Sequence, residues 1–213
     1  MKLDLRRMPI SVINLTSASR RRAFMHDQLE TLGLEHRFVP AVECEPPGLG
    51  CTLSHLKTLS LLAARPPFLI LEDDCQLLLE DHPLQFDVPD DTDALYLGHS
   101  SFGLTDGPDQ FGLRWGQDNN VRYEDLDDEY IRVLNMLSAH AIIFISEECV
   151  RSAIDANTRA LLNHDFPYAG DMAYAELQER LKVLATRQPL CYQSAGYDGN
   201  EGSTRRSIVK DSN

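Results

Sequence analysis

The fold is decided by the segment FLILEDD at residues 68–74, in which four apolar residues run directly into three carboxylates. An uninterrupted apolar run of this length is typical of a strand that is buried on both faces of its sheet. The segment ALYL at residues 94–97 repeats the pattern and ends at a glycine. Helical spacing of leucine and alanine in residues 51–64 and 171–181 indicates helices that pack against such strands. The sequence therefore predicts an α/β fold with a mostly parallel central sheet flanked by helices.

Shorter apolar runs extend this pattern toward both ends of the chain. They predict strands at residues 10–15, 36–42 and 139–145. Residues 19–32 have helical spacing of apolar residues, and Gly33 is a stop signal for that helix. We assign residues 1–190 to one domain and residues 191–213 to a tail that is rich in Gly, Ser and Asn and expected to be partly disordered.

Composition limits the class of partner. The chain has 213 residues, with 33 Asp and Glu against 20 Lys and Arg, and its formal net charge is −13. A chain of this length buries a full core without disulfides or a structural metal. Binding to nucleic acid or to anionic lipid over a broad surface depends on clustered Lys and Arg. The charge balance therefore excludes nucleic acid as the expected partner, whereas a small phosphorylated ligand beside a cation is allowed.

Cysteine usage and hydropathy bear on the compartment. The five cysteines are odd in number and form no C-x-x-C pair, which favours a reducing compartment. We find no apolar run that approaches the roughly 18 residues of a membrane span, and the basic N-terminus precedes no apolar signal region. We therefore expect a cytoplasmic protein with no transmembrane segment, for which peripheral contact with a membrane stays open.

The carboxylates Glu72, Asp73 and Asp74 lie where the apolar strand ends. Ligands of open α/β sheets bind at the carboxyl ends of the strands. Successive side chains alternate in direction, so Glu72 and Asp74 are expected to point one way and Asp73 the other. Oxygen ligands of this kind suit a hard divalent cation. We predict Mn²⁺ or Mg²⁺ at Glu72 and Asp74, and the alternative is an acidic turn with solvated carboxylates.

Several motifs in this order resemble those of glycosyltransferase family 25. They are INL at residues 13–15, RRAFM at 21–25, LGL at 32–34, FVPAV at 38–42, GLGCTLSH at 48–55, LEDD at 71–74, ALYLG at 94–98 and SAHA at 138–141. The similarity covers about residues 10–175. The chain departs from the family in residues 102–124 and in its tail, where Gln193 and a late serine match.

The resemblance implies a GT-A fold, a single Rossmann-like domain that binds a nucleotide sugar. It also implies inverting transfer of a hexose, often galactose from a UDP donor, to lipopolysaccharide or to a hydroxylated protein side chain. The expected partners are therefore a nucleotide-sugar donor, with UDP-hexose favoured, and a saccharide or protein acceptor. In such a reaction a divalent ion neutralises the departing diphosphate and a carboxylate deprotonates the acceptor hydroxyl.

Candidate donor-binding residues come from several of these motifs. They are Asn14, Arg21, Arg22, Gly50, Ser54, His55 and Asp73. The two arginines open the first helix directly after the first strand, where a nucleotide can lie, although each can also be a solvated basic residue. The glycine would allow backbone amides to approach a diphosphate. The histidine lies on a leucine-rich helix, where a structural role is the alternative.

The base of an inverting reaction must be a further carboxylate, because the metal cluster lies on the diphosphate side of the sugar. Asp171 heads the helix predicted at residues 171–181 and matches an aspartate of the family in position, so we predict it as the base. Its alternative role is to cap that helix. Asp165, in the preceding loop, is the substitute candidate.

Two other functions stay open at this point. A metal-dependent nucleotidyl or phosphoryl transferase would use the same carboxylates on a different bond. A non-catalytic protein that binds nucleotide sugars would keep the fold without turnover. The segment at residues 98–128, rich in Gly, Asp, Asn and Gln, is predicted as a long loop of unassigned role.

Overall fold

The structure is a computed structural model that describes residues 1–79, 84–107, 120–162, 170–194 and 207–209. In chain order its elements are β1 (Lys2–Asp4), β2 (Ile10–Asn14), α1 (Ser19–Thr31), β3 (Arg37–Pro40), α2 (Pro47–Leu62), β4 (Phe68–Glu72), β5 (Cys75–Leu77), β6 (Gln85–Asp87), β7 (Ala94–Tyr96), β8 (Tyr123–Asp125), β9 (Tyr130–Val133), β10 (Ala141–Phe144), α3 (Glu147–Leu162), α4 (Gly170–Ala175), β11 (Val183–Thr186) and β12 (Cys191–Gln193).

Within these residues, eight strands form one sheet in the order β3-β2-β4-β10-β7-β11-β9-β8. Strand β2 is parallel to β3 and β4, and β7 is parallel to β11. Strand β10 is antiparallel to both β4 and β7, and β9 is antiparallel to β8 and β11. The α/β class is therefore confirmed, and the sheet is mixed: six of its eight strands run in one direction, as the prediction of a mostly parallel sheet requires, while β9 and β10 run in the other.

The antiparallel direction of β10 follows from the edge of the sheet at which the chain enters this strand. The chain leaves β7 at the edge of the sheet where β4 ends, and it returns to that same edge, where Ala141 pairs with Leu71. A strand that starts where its neighbours end must run antiparallel to them. An apolar run indicates that a strand is buried but does not indicate its direction, so the sequence pattern could not distinguish the two arrangements.

The apolar strand at residues 68–71 is buried on both faces of the sheet, as its composition predicts. Leu69 belongs to the core cluster that contains Met25 of α1. Ile70 belongs to the cluster on the other face, which contains Leu59 of α2 and Ala153 of α3. Full burial of one such side chain contributes about 1.5–3 kcal/mol, so this alternation holds helices against both faces of the sheet.

Several element boundaries differ from the predictions, and α2, for example, begins at Pro47 rather than at residue 51. The helix predicted at residues 171–181 ends at Ala175, and tight turns follow it, with the Leu177 amide bonded to the Tyr174 carbonyl. The side chain of Gln178, in these turns, is buried and bonds both backbone groups of Met136.

Regular structure continues past the predicted boundary at residue 190. Cys191–Gln193, at the start of the predicted tail, forms β12, which pairs with β5. Most of the remaining tail, and residues 108–119 of the predicted loop at 98–128, lie outside the described residues. The C-terminal end of that predicted loop contains β8. Over the ranges that the structure describes, no helix is both long enough and apolar enough to cross a membrane.

Candidate functional site

A cavity of about 370 Å³ lies at the carboxyl ends of β2, β3 and β4. These three strands are parallel, so the residues that follow them meet at one edge of the sheet. The cavity is lined by residues of the β2 end, the segment after β3, helix α2, the carboxylate motif after β4 and strand β12. Its volume is in the range of small-molecule sites, and its position is the one at which α/β sheets bind ligands.

Asp73 is held by two of the predicted donor-binding residues. The Asn14 side-chain amide donates to Asp73 Oδ2 at 2.7 Å, and Arg21 Nη1 donates to Asp73 Oδ1 at 3.0 Å. Asn14 also donates to the Ala18 carbonyl, which ties it to the start of α1. A buried carboxylate is stabilised when it is paired and hydrogen-bonded in this way. The structure therefore brings Asn14, Arg21 and Asp73 together beside the cavity.

Arg22 points elsewhere. Its guanidinium carbon lies 4.1 Å from the centre of the Phe38 ring, in a cation–π contact on the outer surface. Successive residues of a helix are rotated by about 100°, since 3.6 residues make a turn, and the two adjacent arginines leave α1 in different directions. Of the two arginines predicted to contact the donor, Arg21 lines the cavity and Arg22 does not.

Glu72 is bonded to a buried histidine. His55 Nε2 lies 3.1 Å from Glu72 Oε1, and the Tyr174 hydroxyl lies 3.0 Å from His55 Nδ1. Burial disfavours a charged imidazole, but contacts with Cys51 and Glu72 outweigh it and raise the pKa of His55 to about 10. Burial likewise opposes the charge on Glu72, yet the bond from His55 lowers the pKa of that carboxyl. One oxygen of Glu72 is therefore committed to a buried ion pair.

Asp74 differs from its two neighbours because one of its oxygens is buried without a hydrogen-bond partner among the described residues. Gln193 Nε2 donates to Asp74 Oδ2 at 3.0 Å. Asp74 Oδ1 is buried and has no hydrogen-bond partner among the described residues. Burial and the charge of Glu72 raise the pKa of Asp74 to about 6. A buried carboxylate oxygen without a partner is costly, so it favours a proton or a cation at this position.

Gly50 and Ser54 build the wall of the cavity. A Cβ atom at Gly50 would lie 2.5 Å from the Val42 carbonyl oxygen, so only glycine allows α2 to pack this closely on the segment after β3. The Ser54 hydroxyl accepts from the Val42 amide at 2.8 Å and donates to the Gly50 carbonyl at 2.6 Å. Both residues line the cavity, as do His55, Glu72 and Asp74. The bonds of Ser54 give it a packing role.

Asp171 is in the first turn of α4, and its carboxylate accepts from the Met172 amide at 2.8 Å. Burial and the charge of Glu72 raise the pKa of Asp171 to about 6. The preceding Gly170 packs on α2, where a Cβ atom would lie 3.9 Å from His55 Cβ. Asp171 is thus on the His55 side of the site but is not among the described residues that line the cavity. Asp165, the substitute base, lies outside the described residues.

Several residues of the site were not predicted as such, and three of them bond the predicted side chains. Gln193 lies in the predicted tail, and neither Tyr174 nor Cys51 is among the predicted site residues, although Cys51 Sγ lies 3.8 Å from Glu72 Oε1. Gln193 contacts Asp74 and Tyr174 contacts His55, and in both pairs the two residues are 119 positions apart in the chain. No local pattern could have indicated these contacts, although the match of Gln193 to the resembled family was a signal.

The lining of the cavity is mostly negative, so an anionic ligand would need a cation bound beside it. Its described lining has one arginine, Arg21, against five carboxylates, which are those of Glu43, Glu45, Glu72, Asp73 and Asp74. A diphosphate would add negative charge to this set. The oxygen donors present, and the unpartnered Oδ1 of Asp74 above all, fit a hard divalent cation such as Mg²⁺ or Mn²⁺.

Comparison with known proteins gives no family. No protein-family model matches the chain, and no curated protein matches it. Among solved structures, the chain is similar to the nucleoside-diphosphate-sugar pyrophosphorylase from Vibrio cholerae RC9, with 15% sequence identity over 85% of this chain and 73% of that one and a TM-score of 0.43. A likeness at this level does not distinguish between functions. Membership of glycosyltransferase family 25 stays a prediction.

Proposed function

We propose that this protein is a metal-dependent inverting glycosyltransferase. It moves a hexose, with galactose the favoured case, from a nucleotide-sugar donor to a hydroxyl group of a saccharide or protein acceptor. The observation that carries the proposal is the buried, unpartnered Oδ1 of Asp74 in an acidic cavity at the carboxyl ends of three parallel strands. The ordered family-25-like motifs favour glycosyl transfer among the reactions that such a cavity supports.

Arg21 and Asp73 form the donor side of the proposed site. Arg21 lines the cavity while Asp73 fixes the position of its guanidinium group. A guanidinium group carries a rigid fork of N–H donors that matches phosphate oxygens, and charged hydrogen bonds of this kind are about twice as strong as neutral ones. Asn14 supports the pair through its bond to Asp73. These contacts would orient the diphosphate of a nucleotide sugar.

Asp74 and Glu72 are the residues that would hold Mn²⁺ or Mg²⁺. Asp74 offers its unpartnered oxygen, and Gln193 fixes the orientation of that carboxylate. Glu72 is kept ionised by its bond to His55. A divalent cation bound there would supply charge neutralisation for the departing diphosphate.

Asp171 is the proposed base. An ionised carboxylate there would accept the proton of the acceptor hydroxyl as that oxygen attacks the anomeric carbon. The pKa of Asp171, raised to about 6, leaves it ionised at neutral pH and makes it a stronger base than an ordinary aspartate. Asp165 stays the substitute for this role.

The alternative is a metal-dependent nucleotidyl or phosphoryl transferase with the same carboxylates. The Vibrio cholerae protein is named as a pyrophosphorylase of nucleoside-diphosphate sugars, so the two reactions should be tested side by side. The products distinguish them. Glycosyl transfer, or hydrolysis of the donor, releases a nucleoside diphosphate. Nucleotidyl transfer from a nucleoside triphosphate to a sugar 1-phosphate releases pyrophosphate.

The test begins with thermal-shift measurements on a panel of nucleotide sugars, each with and without Mn²⁺. A ligand that binds the folded state raises its stability, so the correct donor identifies itself by a Mn²⁺-dependent rise in Tm. The donors that bind are then incubated with saccharide acceptors, and diphosphate and pyrophosphate release are both measured. Diphosphate release with an inverted product anomer supports the proposal. Pyrophosphate release assigns the alternative, and binding without either product assigns a non-catalytic binding protein.

A further inference from the structure

A second group of side chains with metal-binding chemistry lies on the outer surface at the end of α1. The helix ends in a pair of hydrogen bonds, from the Gly33 amide to the Glu30 carbonyl and from the Leu34 amide to the Leu29 carbonyl, both at 2.9 Å. Gly33 has φ of 65°, the left-handed conformation that this type of helix end requires. The chain therefore reverses sharply, and the segment that leads into β3 returns along the last turns of the helix.

This reversal places His36 beside two residues of α1. His26 and Glu30 are one helical turn apart and exposed, so they lie on the same face of the helix. His26 Nδ1 is 3.2 Å from His36 Nε2, and the ligand atoms of all three residues lie within 4.8 Å of one another. Two nitrogen ligands of one tetrahedral ion, each about 2.0–2.1 Å from it, are roughly 3.4 Å apart. The two imidazole nitrogens are hydrogen-bonded to each other in the structure, and their spacing is also that of two ligands of one ion.

The orientation of His36 is fixed by its other contacts. His36 Nδ1 lies 3.0 Å from the Leu34 carbonyl oxygen, which can only accept, so Nδ1 carries the proton and Nε2 keeps a lone pair directed toward His26. This bond from the far nitrogen to a carbonyl is the arrangement that commonly supports a metal-binding histidine. The ring also packs edge-on against Phe38, with 5.4 Å between the ring centres.

We propose that His26, Glu30 and His36 form a binding site for a divalent transition-metal ion of the zinc type, separate from the cation site at Asp74. Two imidazoles and one carboxylate suit Zn²⁺ and similar ions, whereas Mg²⁺ prefers oxygen ligands alone. Three protein ligands leave a position for water. The arginines of the same surface do not occupy the ligand atoms, since Arg22 stacks on Phe38 and Arg37 Nε donates to Ser11 Oγ at 2.9 Å.

An ion at this site would join the end of α1 to the segment that enters β3. Because it would bind the folded chain and not the unfolded one, saturation with the ion should raise Tm. Helix α1 also carries Arg21, so the ion would stabilise the element that supports Asp73.

The test is a Zn²⁺ titration by calorimetry on untagged protein that has been stripped with EDTA. The variants His26→Gln, His36→Gln and Glu30→Gln each remove one ligand, and Glu35→Gln removes an exposed carboxylate next to the site as the matched control. Among the described residues, Cys51, His55 and Glu72 form the other group whose ligand atoms lie within 4.8 Å. All titrations are therefore carried out in a Cys51→Ser/Asp74→Asn background, which removes one ligand of this group and the carboxylate of the cation site at Asp74.

In this background, taken as the parent of the titration, we expect one Zn²⁺ per chain, both with and without the control change Glu35→Gln. Each of the three ligand variants should lose at least about tenfold in affinity, together with the Zn²⁺-dependent rise in Tm. Circular dichroism of each variant checks that the loss is not due to unfolding. The proposal is overturned if the parent shows no saturable binding below about 1 mM, or if any of the three ligand variants binds Zn²⁺ like the parent.

Discussion

Gln193 and Asp74 are 119 residues apart in the chain, and the side-chain amide of Gln193 donates to Asp74 Oδ2 at 3.0 Å. The contact depends on β12, which pairs with β5 directly after the carboxylate motif. The Ser194 amide adds a second bond, to the Asp74 carbonyl at 2.8 Å. The C-terminal strand is therefore part of the candidate site, because it orients the carboxylate that the proposed function depends on most.

Changing Gln193 to Ala should weaken metal binding without removing it. The bond from Gln193 engages Asp74 Oδ2 and leaves Oδ1 available to the metal. Loss of a bond that orients a metal ligand typically lowers metal affinity by about 10–100-fold. The Mn²⁺ concentration for half-maximal activity should rise accordingly, with kcat recovered at saturating Mn²⁺. An unchanged Mn²⁺ requirement in Gln193→Ala would show that this bond does not support the metal site.

The variant Asp74→Asn should lose metal-dependent turnover and stay folded. The Asn amide has nearly the shape of the carboxylate but lacks the negative charge that binds a divalent cation. The substitution removes a buried charge rather than adding one, so the fold should be preserved. Asp155→Asn, at an exposed position of α3, is the matched control and should keep parental activity. Turnover that persists in Asp74→Asn in the presence of EDTA would refute the metal assignment.

The two adjacent arginines provide a matched pair for donor binding. Arg21→Ala removes a guanidinium group from the cavity and should raise the donor KM at least about tenfold, since a charged hydrogen bond contributes about 1.5–3 kcal/mol. Arg22→Ala removes a group that stacks on Phe38 and should leave the donor KM close to the parental value. Steady-state kinetics with varied donor concentration measure both. Equal effects of the two changes would contradict the placement of Arg21 in the donor site.

Asp171→Asn should retain donor and Mn²⁺ affinity but reduce transfer by two or more orders of magnitude, which is roughly the contribution of a general base. Asn keeps the oxygen that accepts from the Met172 amide, so the helix start is preserved. The companion variant is Asp165→Asn. If it abolishes transfer while Asp171→Asn does not, the base is Asp165, and if both remain active the inverting mechanism with an aspartate base is wrong.

The same variant carries a prediction about stability and pH. The pKa of Asp171 is raised from its ordinary 3.8 to about 6, so the folded protein binds a proton at this site more tightly than the unfolded chain. This group therefore favours folding at low pH, and the benefit is lost as the pH rises through 6 and the buried carboxylate ionises. A shift of this size corresponds to about 3 kcal/mol.

The free energy of unfolding of Asp171→Asn should consequently exceed that of the parent at pH 8, by up to that amount, and the difference should be close to zero at about pH 3, where the carboxyl is protonated in both the folded and the unfolded parent. Urea unfolding of both proteins at the two pH values measures it. The pair of proteins controls for every other titrating group, because only residue 171 differs. A variant that is less stable than the parent at pH 8 would contradict the assigned burial of this carboxylate.

Local patterns in the sequence were sufficient for several features. The apolar run at residues 68–71 predicted a strand that is buried on both faces, and α1 ends where Gly33 predicted a stop. The position of three carboxylates at a strand end predicted a polar edge of the sheet, where the cavity lies. Each of these depends on residues within a few positions of one another, since periodicity, helix ends and charge clusters are local properties of the chain.

The tertiary structure decided the direction of β10 and which residues form the site. Arg21 reaches Asp73 whereas Arg22 turns away, a distinction that arises only when α1 is packed against the sheet. Gln193 and Asp74 meet because β12 pairs with β5, and His36 meets His26 because the chain reverses after α1. Such contacts depend on which strands pair, on the direction of each strand and on the rotation of whole helices. Hydrophobic periodicity does not encode these features, because it indicates which side chains are buried but not which residues they contact.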